Sequence, residues 1–90
     1  MFYEGEWKNG VYHGKGKEIW TDGVEYEGEF IDGTKSGFGF HKWTDGTKYT
    51  GKWNNGLMHG KGILKLPNGE VFKGKFINGV KQEERPSLNL

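Results

Sequence analysis

The chain contains no cysteine and no alanine, only two prolines and two serines, and no long apolar run. Each absence removes a class. Without thiols there is no disulfide framework and no cysteine-based metal site, and the redox compartment stays open. Without alanine, and with 17 glycines in 90 residues, a helical bundle is disfavoured, because a glycine inside a helix costs about 1 kcal/mol relative to alanine. No segment approaches the ~18–20 apolar residues of a membrane span, and no apolar stretch follows Met1 as it would in a secretory leader. Disorder is the remaining expectation for a glycine-rich, charged chain. The 14 aromatic residues argue against it, and so does their spacing.

The glycines keep a period of 23 residues. Rows of that length start at Tyr3, Tyr26, Tyr49 and Phe72. Two places on stand Gly5, Gly28, Gly51 and Gly74, and two further on Trp7, Phe30, Trp53 and Phe76. Gly10, Gly14, Gly16 and Gly23 recur in the same way, so that all 17 glycines sit in repeat positions. Biased composition scatters residues and does not phase them, so the period indicates a stack of one supersecondary unit.

Each unit reads as a β-hairpin. Tyr3-Glu4-Gly5-Glu6-Trp7 alternates with period 2. The second arm, Gly14 to Trp20, ends at Asp22-Gly23, a strong hairpin signal repeated at Asp45-Gly46 and Asn68-Gly69. The other connection, Asn9 to Gly14, reads as longer and looser. The expected fold is all-β: an elongated, single-layer antiparallel meander of about 3.5 repeats with seven short strands and no helix before Lys81. The domain spans residues 1–80, and residues 81–90 form a tail outside the repeat, in which Glu83–Arg85 suit a helical turn before Pro86. Parity puts the aromatic and glycine positions on one face, with rings lying over bare glycine backbone. It also puts Glu18, His41 and Leu64 in one slot of that face. There the carboxylate of Glu18 is expected to be solvated, since one side of a single-layer sheet stays open.

The row Tyr-Glu-Gly-Glu-Trp-Lys-Asn-Gly-x-x-His-Gly-Lys-Gly, at Tyr3–Gly16, resembles the MORN repeat (membrane occupation and recognition nexus). It recurs at Tyr26–Gly39 and Tyr49–Gly62, and half of it at Phe72–Gly79. Ser36 in place of histidine, Phe38 and Phe40 in place of small or charged residues, and Leu66 in place of an aromatic depart from it. The resemblance implies an elongated hairpin sheet and an attachment role. Proteins that carry these repeats include membrane tethers, lipid kinases, a methyltransferase and cytoskeletal and ciliary scaffolds.

Chemistry is sparsely provided for. Ser36 and Ser87 are isolated hydroxyls and there is no cysteine nucleophile. His13 and His59 share a slot two rows apart, about 19 Å, too far to share a metal; a structural role in the loop is the expectation. Gly14-Lys15-Gly16-Lys17 lacks the strand–loop–helix setting and the Lys-Ser/Thr pair of a phosphate loop. The reading is therefore no enzyme, with no catalytic residue, cofactor, metal or small-molecule substrate.

Charge position is more informative than the total of +1. Residues 1–34 hold three lysines against eight acids, a net of −5, and residues 35–82 nine lysines against two acids, a net of +7. The change occurs within equivalent slots: Glu4 and Glu6, Glu27 and Glu29, then Thr50 and Lys52, then Lys73 and Lys75. Three readings stand: solvated cover, a dipolar surface that orients a protein partner or an antiparallel self-pair, or a basic end for anionic lipid. Candidate partner contacts are Glu4, Glu6, Glu27 and Glu29 with Phe38 and Phe40. These two rings either form a contact patch on the face away from the ring stripe or are tucked under a Lys35–Ser36 loop. Candidate lipid contacts are Lys48, Lys52, Lys61, Lys65, Lys73 and Lys75. Nucleic acid is not expected, because rings and lysines do not share slots.

The expected function is a non-enzymatic interaction or scaffold module for a protein partner within a larger assembly, cytoskeletal or ciliary by preference. The expected location is intracellular. The alternative is a peripheral membrane adaptor that binds acidic phospholipid through the basic half.

Overall fold

A computed structural model describes residues 1–82. Eight strands form one antiparallel sheet in sequence order: β1 (Phe2–Lys8), β2 (Val11–Ile19), β3 (Glu25–Ile31), β4 (Thr34–Lys42), β5 (Lys48–Asn54), β6 (Leu57–Lys65), β7 (Val71–Ile77) and β8 (Val80–Gln82). The all-β meander is as the period predicts, and there is no helix among the described residues. Two features differ from the sequence reading. The described residues form eight strands, not seven, and the sheet continues to Gln82. The expected helical turn at Glu83–Arg85 lies outside the described residues.

The second difference concerns the turns. The tight two-residue connections are Asn9-Gly10, Asp32-Gly33, Asn55-Gly56 and Asn78-Gly79. Both residues of each have positive φ, about 50° and 80°, the geometry of a type I′ turn, whose twist matches that of the flanking strands. The Asp22-Gly23, Asp45-Gly46 and Asn68-Gly69 segments are the longer connections. There the side chain of Asp22, Asp45 or Asn68 accepts the N–H two residues on, at 3.1, 2.8 and 2.9 Å. The His-Gly stretch that looked like a loop lies inside β2 and β6. Gly14, Gly37 and Gly60, at φ of 85°, 75° and 88°, absorb extra residues opposite β1, β3 and β5 as a bulge. The fourth I′ turn, Asn78-Gly79, launches β8.

One line of glycines crosses seven strands. Gly5, Gly16, Gly28, Gly39, Gly51, Gly62 and Gly74 are successive cross-strand partners. The tyrosines lie along this line. A Cβ at Gly16, Gly39 or Gly62 would meet the ring of Tyr3, Tyr26 or Tyr49. Each hydroxyl reaches past the glycine and donates to the carbonyl three residues on, Glu6, Glu29 and Lys52, at 2.6, 2.9 and 2.9 Å. The rings then join edge to face across repeats. Tyr3 meets Phe30, Tyr26 meets Trp53 and Tyr49 meets Phe76, with centroids 5.1–5.5 Å apart, the geometry that aromatic quadrupoles prefer. Tyr26 and Tyr49 are fully buried and Phe30, Trp53 and Phe76 nearly so. The Trp53 indole N–H donates to the Gly39 carbonyl at 3.1 Å. Because each ring ladder step uses the neighbouring row, the core belongs to the stack and not to any single repeat.

Candidate interaction face

The strand pairings place alternate residues on a second face, opposite the ring ladder. Across the sheet one row of it runs Glu4, Lys17, Glu27, Phe40, Thr50, Ile63 and Lys73. A parallel row holds Lys15, Glu29, Phe38, Lys52, Lys61 and Lys75. The acidic-to-basic progression expected from the sequence is therefore laid out on one continuous surface. All six candidate lysines gather over β5–β7: Lys48 faces Lys65, Lys61 faces Lys75, Lys52 faces Phe38 and Lys73 faces Ile63.

Phe38 is 58% exposed and Phe40 half-buried. Lys35 and Ser36, expected as a loop over these rings, belong to β4 and leave Phe38 uncovered. On the basic side, Phe38, Thr50 and Ile63 with Lys61, Lys73 and Lys75 line a shallow groove of about 730 Å³. On the acidic side, Phe38 and Phe40 border a second depression of about 570 Å³ with Glu4, Lys17, Glu27 and Glu29.

Glu6 and Glu29 do more than carry charge. Their Oε1 atoms accept the backbone N–H groups of Lys15 and Phe38 at 2.6 and 2.9 Å, which secures each bulge. In the third row Lys52 takes this slot and its stem packs beside Gly60. A lysine has no acceptor to offer, so the charge switch and the loss of the bulge cap are one event. Sequence reasoning gave these carboxylates a surface role alone; the bulge that brings them within reach of the backbone was not legible.

The ring face holds a cluster that the sequence reading missed. Lys35 Nζ lies 5.3 Å from the rings of Trp20 and Tyr26 and 5.5 Å from that of Trp53, a cation–π arrangement. Its slot is that of Tyr12 and Met58 in neighbouring rows, which was the available signal that the side chain turns inward. Glu18 and His41, in a shared slot, flank it. Glu18 is buried, at 7% exposure, and not solvated as expected, because the ladder rings close over this side of the sheet. Burial raises its pKa, and the nearby ammonium of Lys35 partly offsets the rise. Burial lowers the pKa of Lys35, with Glu18 opposing. His41 is 5% exposed and its Nδ1 has no hydrogen-bond partner among the described residues; burial, with a smaller contribution from Lys35, brings its pKa to about 4.

The other histidines join repeats. His13 Nδ1 accepts the N–H of Asp32, and His59 Nδ1 that of Asn78, each at 3.3 Å. Both donors open the I′ turn of the next row. That turn is also docked by its glycine: Gly33 N–H donates to the Tyr12 carbonyl at 2.7 Å and Gly79 N–H to the Met58 carbonyl at 2.8 Å. No three metal-ligating side chains come together among the described residues.

The MORN repeat matches the chain over residues 3–25, 26–48 and 49–71, in register with rows beginning at Tyr3, Tyr26 and Tyr49. The chain belongs to the MORN repeat family. MORN repeats are non-catalytic and serve in general as protein- or membrane-interaction modules. A comparison with curated proteins gave no match. In this MORN sheet the ladder face is consumed by the stack itself, while the opposite face retains its charges and the Phe38 ring.

Proposed function

We propose that this MORN sheet is a non-enzymatic interaction module that docks a protein partner on the face opposite its ring ladder, as an intracellular subunit of a larger assembly of cytoskeletal or ciliary kind. The observation that carries the reading is Phe38, 58% exposed in the middle of a charged face with Phe40 beside it. An exposed ring rimmed by charge is the usual anatomy of a contact site, with apolar anchors giving affinity and charges giving orientation. The test is affinity purification with native protein and with a Phe38→Ser, Phe40→Ser variant. The variant keeps its far-UV CD spectrum and thermal midpoint and loses the co-purifying protein. Unchanged co-purification in a folded variant removes the patch from consideration.

A second reading is supported by the six lysines over β5–β7. Near an anionic surface each lysine contributes about 1 kcal/mol, so this side suits a peripheral membrane adaptor binding acidic phospholipid. Co-sedimentation with phosphoinositide-containing vesicles then shows salt-sensitive binding that Lys52→Glu and Lys73→Glu abolish. Absence of binding at low salt sinks this reading.

A further inference from the structure

We infer that the occupant of this face is a second copy of the chain, packed face to face about a twofold axis that runs along β4. The inference rests on the reading of this surface as the docking face and names what docks there. Its ground is a self-complementarity that the strand order creates. β4 lies midway between β1 and β7, so a twofold along it sets β1 over the partner's β7, β2 over β6 and β3 over β5. Such an interface is isologous, and every contact occurs twice.

Under that operation the charged slots meet their opposites. Glu4 on β1 lies over Lys73 on β7, and Glu25 on β3 lies over Lys48 on β5, each pair sharing one row of the sheet. Glu29 on β3 likewise lies over Lys52 on β5. The apolar positions also coincide. Phe38 and Phe40 sit on the axis and meet their own copies, and Phe2, 57% exposed, lies over Val71, 51% exposed. Two positions oppose the pairing: Lys42 on the axis, and Lys15 over Lys61. Each has a carboxylate as a cross-strand neighbour in its own sheet, Glu25 for Lys42 and Glu29 for Lys15, which softens the repulsion.

The geometry fits sheet packing. Seven strands and three rows cover roughly 30 Å by 20 Å, about 600 Å² on each copy and ~1,200 Å² in all, the low end for a specific interface. Sheets packed face to face lie about 10 Å apart with strand directions within about 30° of each other, a range that includes the aligned strands of a twofold along β4, so the rings fill the centre and the long Glu and Lys side chains bridge the rim. A weak, salt-sensitive dimer is the expected product, since rim charges fix register and on-rate more than affinity.

Sedimentation velocity on the purified chain tests this. The native protein shows a concentration-dependent monomer–dimer shift between about 10 µM and about 1 mM at ~50 mM salt, weakened at ~500 mM, where the Debye length is short. The Glu4→Lys, Glu25→Lys variant and the Lys48→Glu, Lys73→Glu variant each associate at least about tenfold more weakly, since every reversed contact occurs twice. An equimolar mixture of the two regains association, because each reversed residue then faces an opposite charge. A native chain that stays monomeric throughout, or a mixture no better than its components, overturns the self-pairing. Neither result touches the docking of a different protein, which the Phe38 and Phe40 co-purification experiment reads separately.

Discussion

The substitution Gly39→Ala tests the principle on which the stack is built. The three atoms nearest a Cβ at Gly39 all belong to Tyr26, its hydroxyl oxygen, Cε1 and Cζ. Accommodating the methyl group means lifting a ring that is fully buried and whose hydroxyl donates to the Glu29 carbonyl at 2.9 Å. Overpacking of this kind costs about 1–3 kcal/mol and loss of the hydrogen bond about 1 more, so Gly39→Ala costs about 2–4 kcal/mol. That is a large share of the roughly 5–13 kcal/mol available to a 90-residue domain. Tyr26→Ala costs about 3–5 kcal/mol through lost burial. If the ring is the obstacle, the double variant is no less stable than Tyr26→Ala alone, a coupling of about 2–4 kcal/mol. Gly28→Ala provides the contrast. Its Cβ meets backbone first, the Gly39 Cα and the Phe38 carbonyl oxygen, and only then the Tyr26 hydroxyl, so removing Tyr26 leaves the backbone obstacles in place and relieves it only in part. Urea unfolding followed by tryptophan fluorescence reads these values from midpoints at constant slope. Additive effects of Gly39→Ala and Tyr26→Ala, within ~0.5 kcal/mol, would refute the reasoning.

The remaining predictions are these. His41 has a folded pKa of about 4 against 6.5 for the free side chain. On acidification the unfolded chain takes up that proton first, and stability falls between pH 6.5 and 4 by up to ~1.4 kcal/mol per pH unit. Glu18, with its raised pKa, binds its proton earlier in the folded state and adds stability as pH falls towards 4.5, so it opposes the loss. His41→Leu, which copies Leu64 of the next row, therefore flattens the decline in urea midpoint between pH 7 and 5; an unchanged decline assigns it to other groups. Lys35→Met, the residue that row three carries in this slot, keeps the ring packing and removes a desolvated ammonium. It leaves the thermal midpoint equal or higher at pH 7 and raises the His41 pKa, read by NMR titration, whereas a static His41 pKa excludes the proposed coupling. Asn55→Ala replaces a short polar side chain, of the kind that tolerates the left-handed region, by a methyl group at φ 51° and costs about 1 kcal/mol, measurable as a shift in urea midpoint. His13→Ala removes the acceptor of the Asp32 N–H and costs about 0.5–1.5 kcal/mol; its signature is faster hydrogen exchange at Asp32 and Gly33, and unchanged exchange there removes the histidine from the docking of the next row.

The sequence alone determined the unit and its length, because a 23-residue recurrence of glycine and aromatic positions has few physical solutions besides a stacked hairpin; that a short β8 closes the fourth hairpin it did not determine. It also determined which residues share a face, since strand parity follows from covalent geometry, and so it assembled the Glu-to-Lys progression and the Phe38–Phe40 pair correctly. Tertiary structure decided what depends on backbone irregularity and on neighbouring rows. The bulges at Gly14, Gly37 and Gly60 accompany the tight turns at Asn9, Asp32 and Asn55, and the recurrence of a glycine does not say whether it turns the chain or bulges it. The burial of Glu18, Lys35 and His41 depended on rings contributed from adjacent strands, which a single row cannot reveal. The twofold match of the open face depended on strand order, since only the completed meander puts β4 midway between the acids of one end and the lysines of the other.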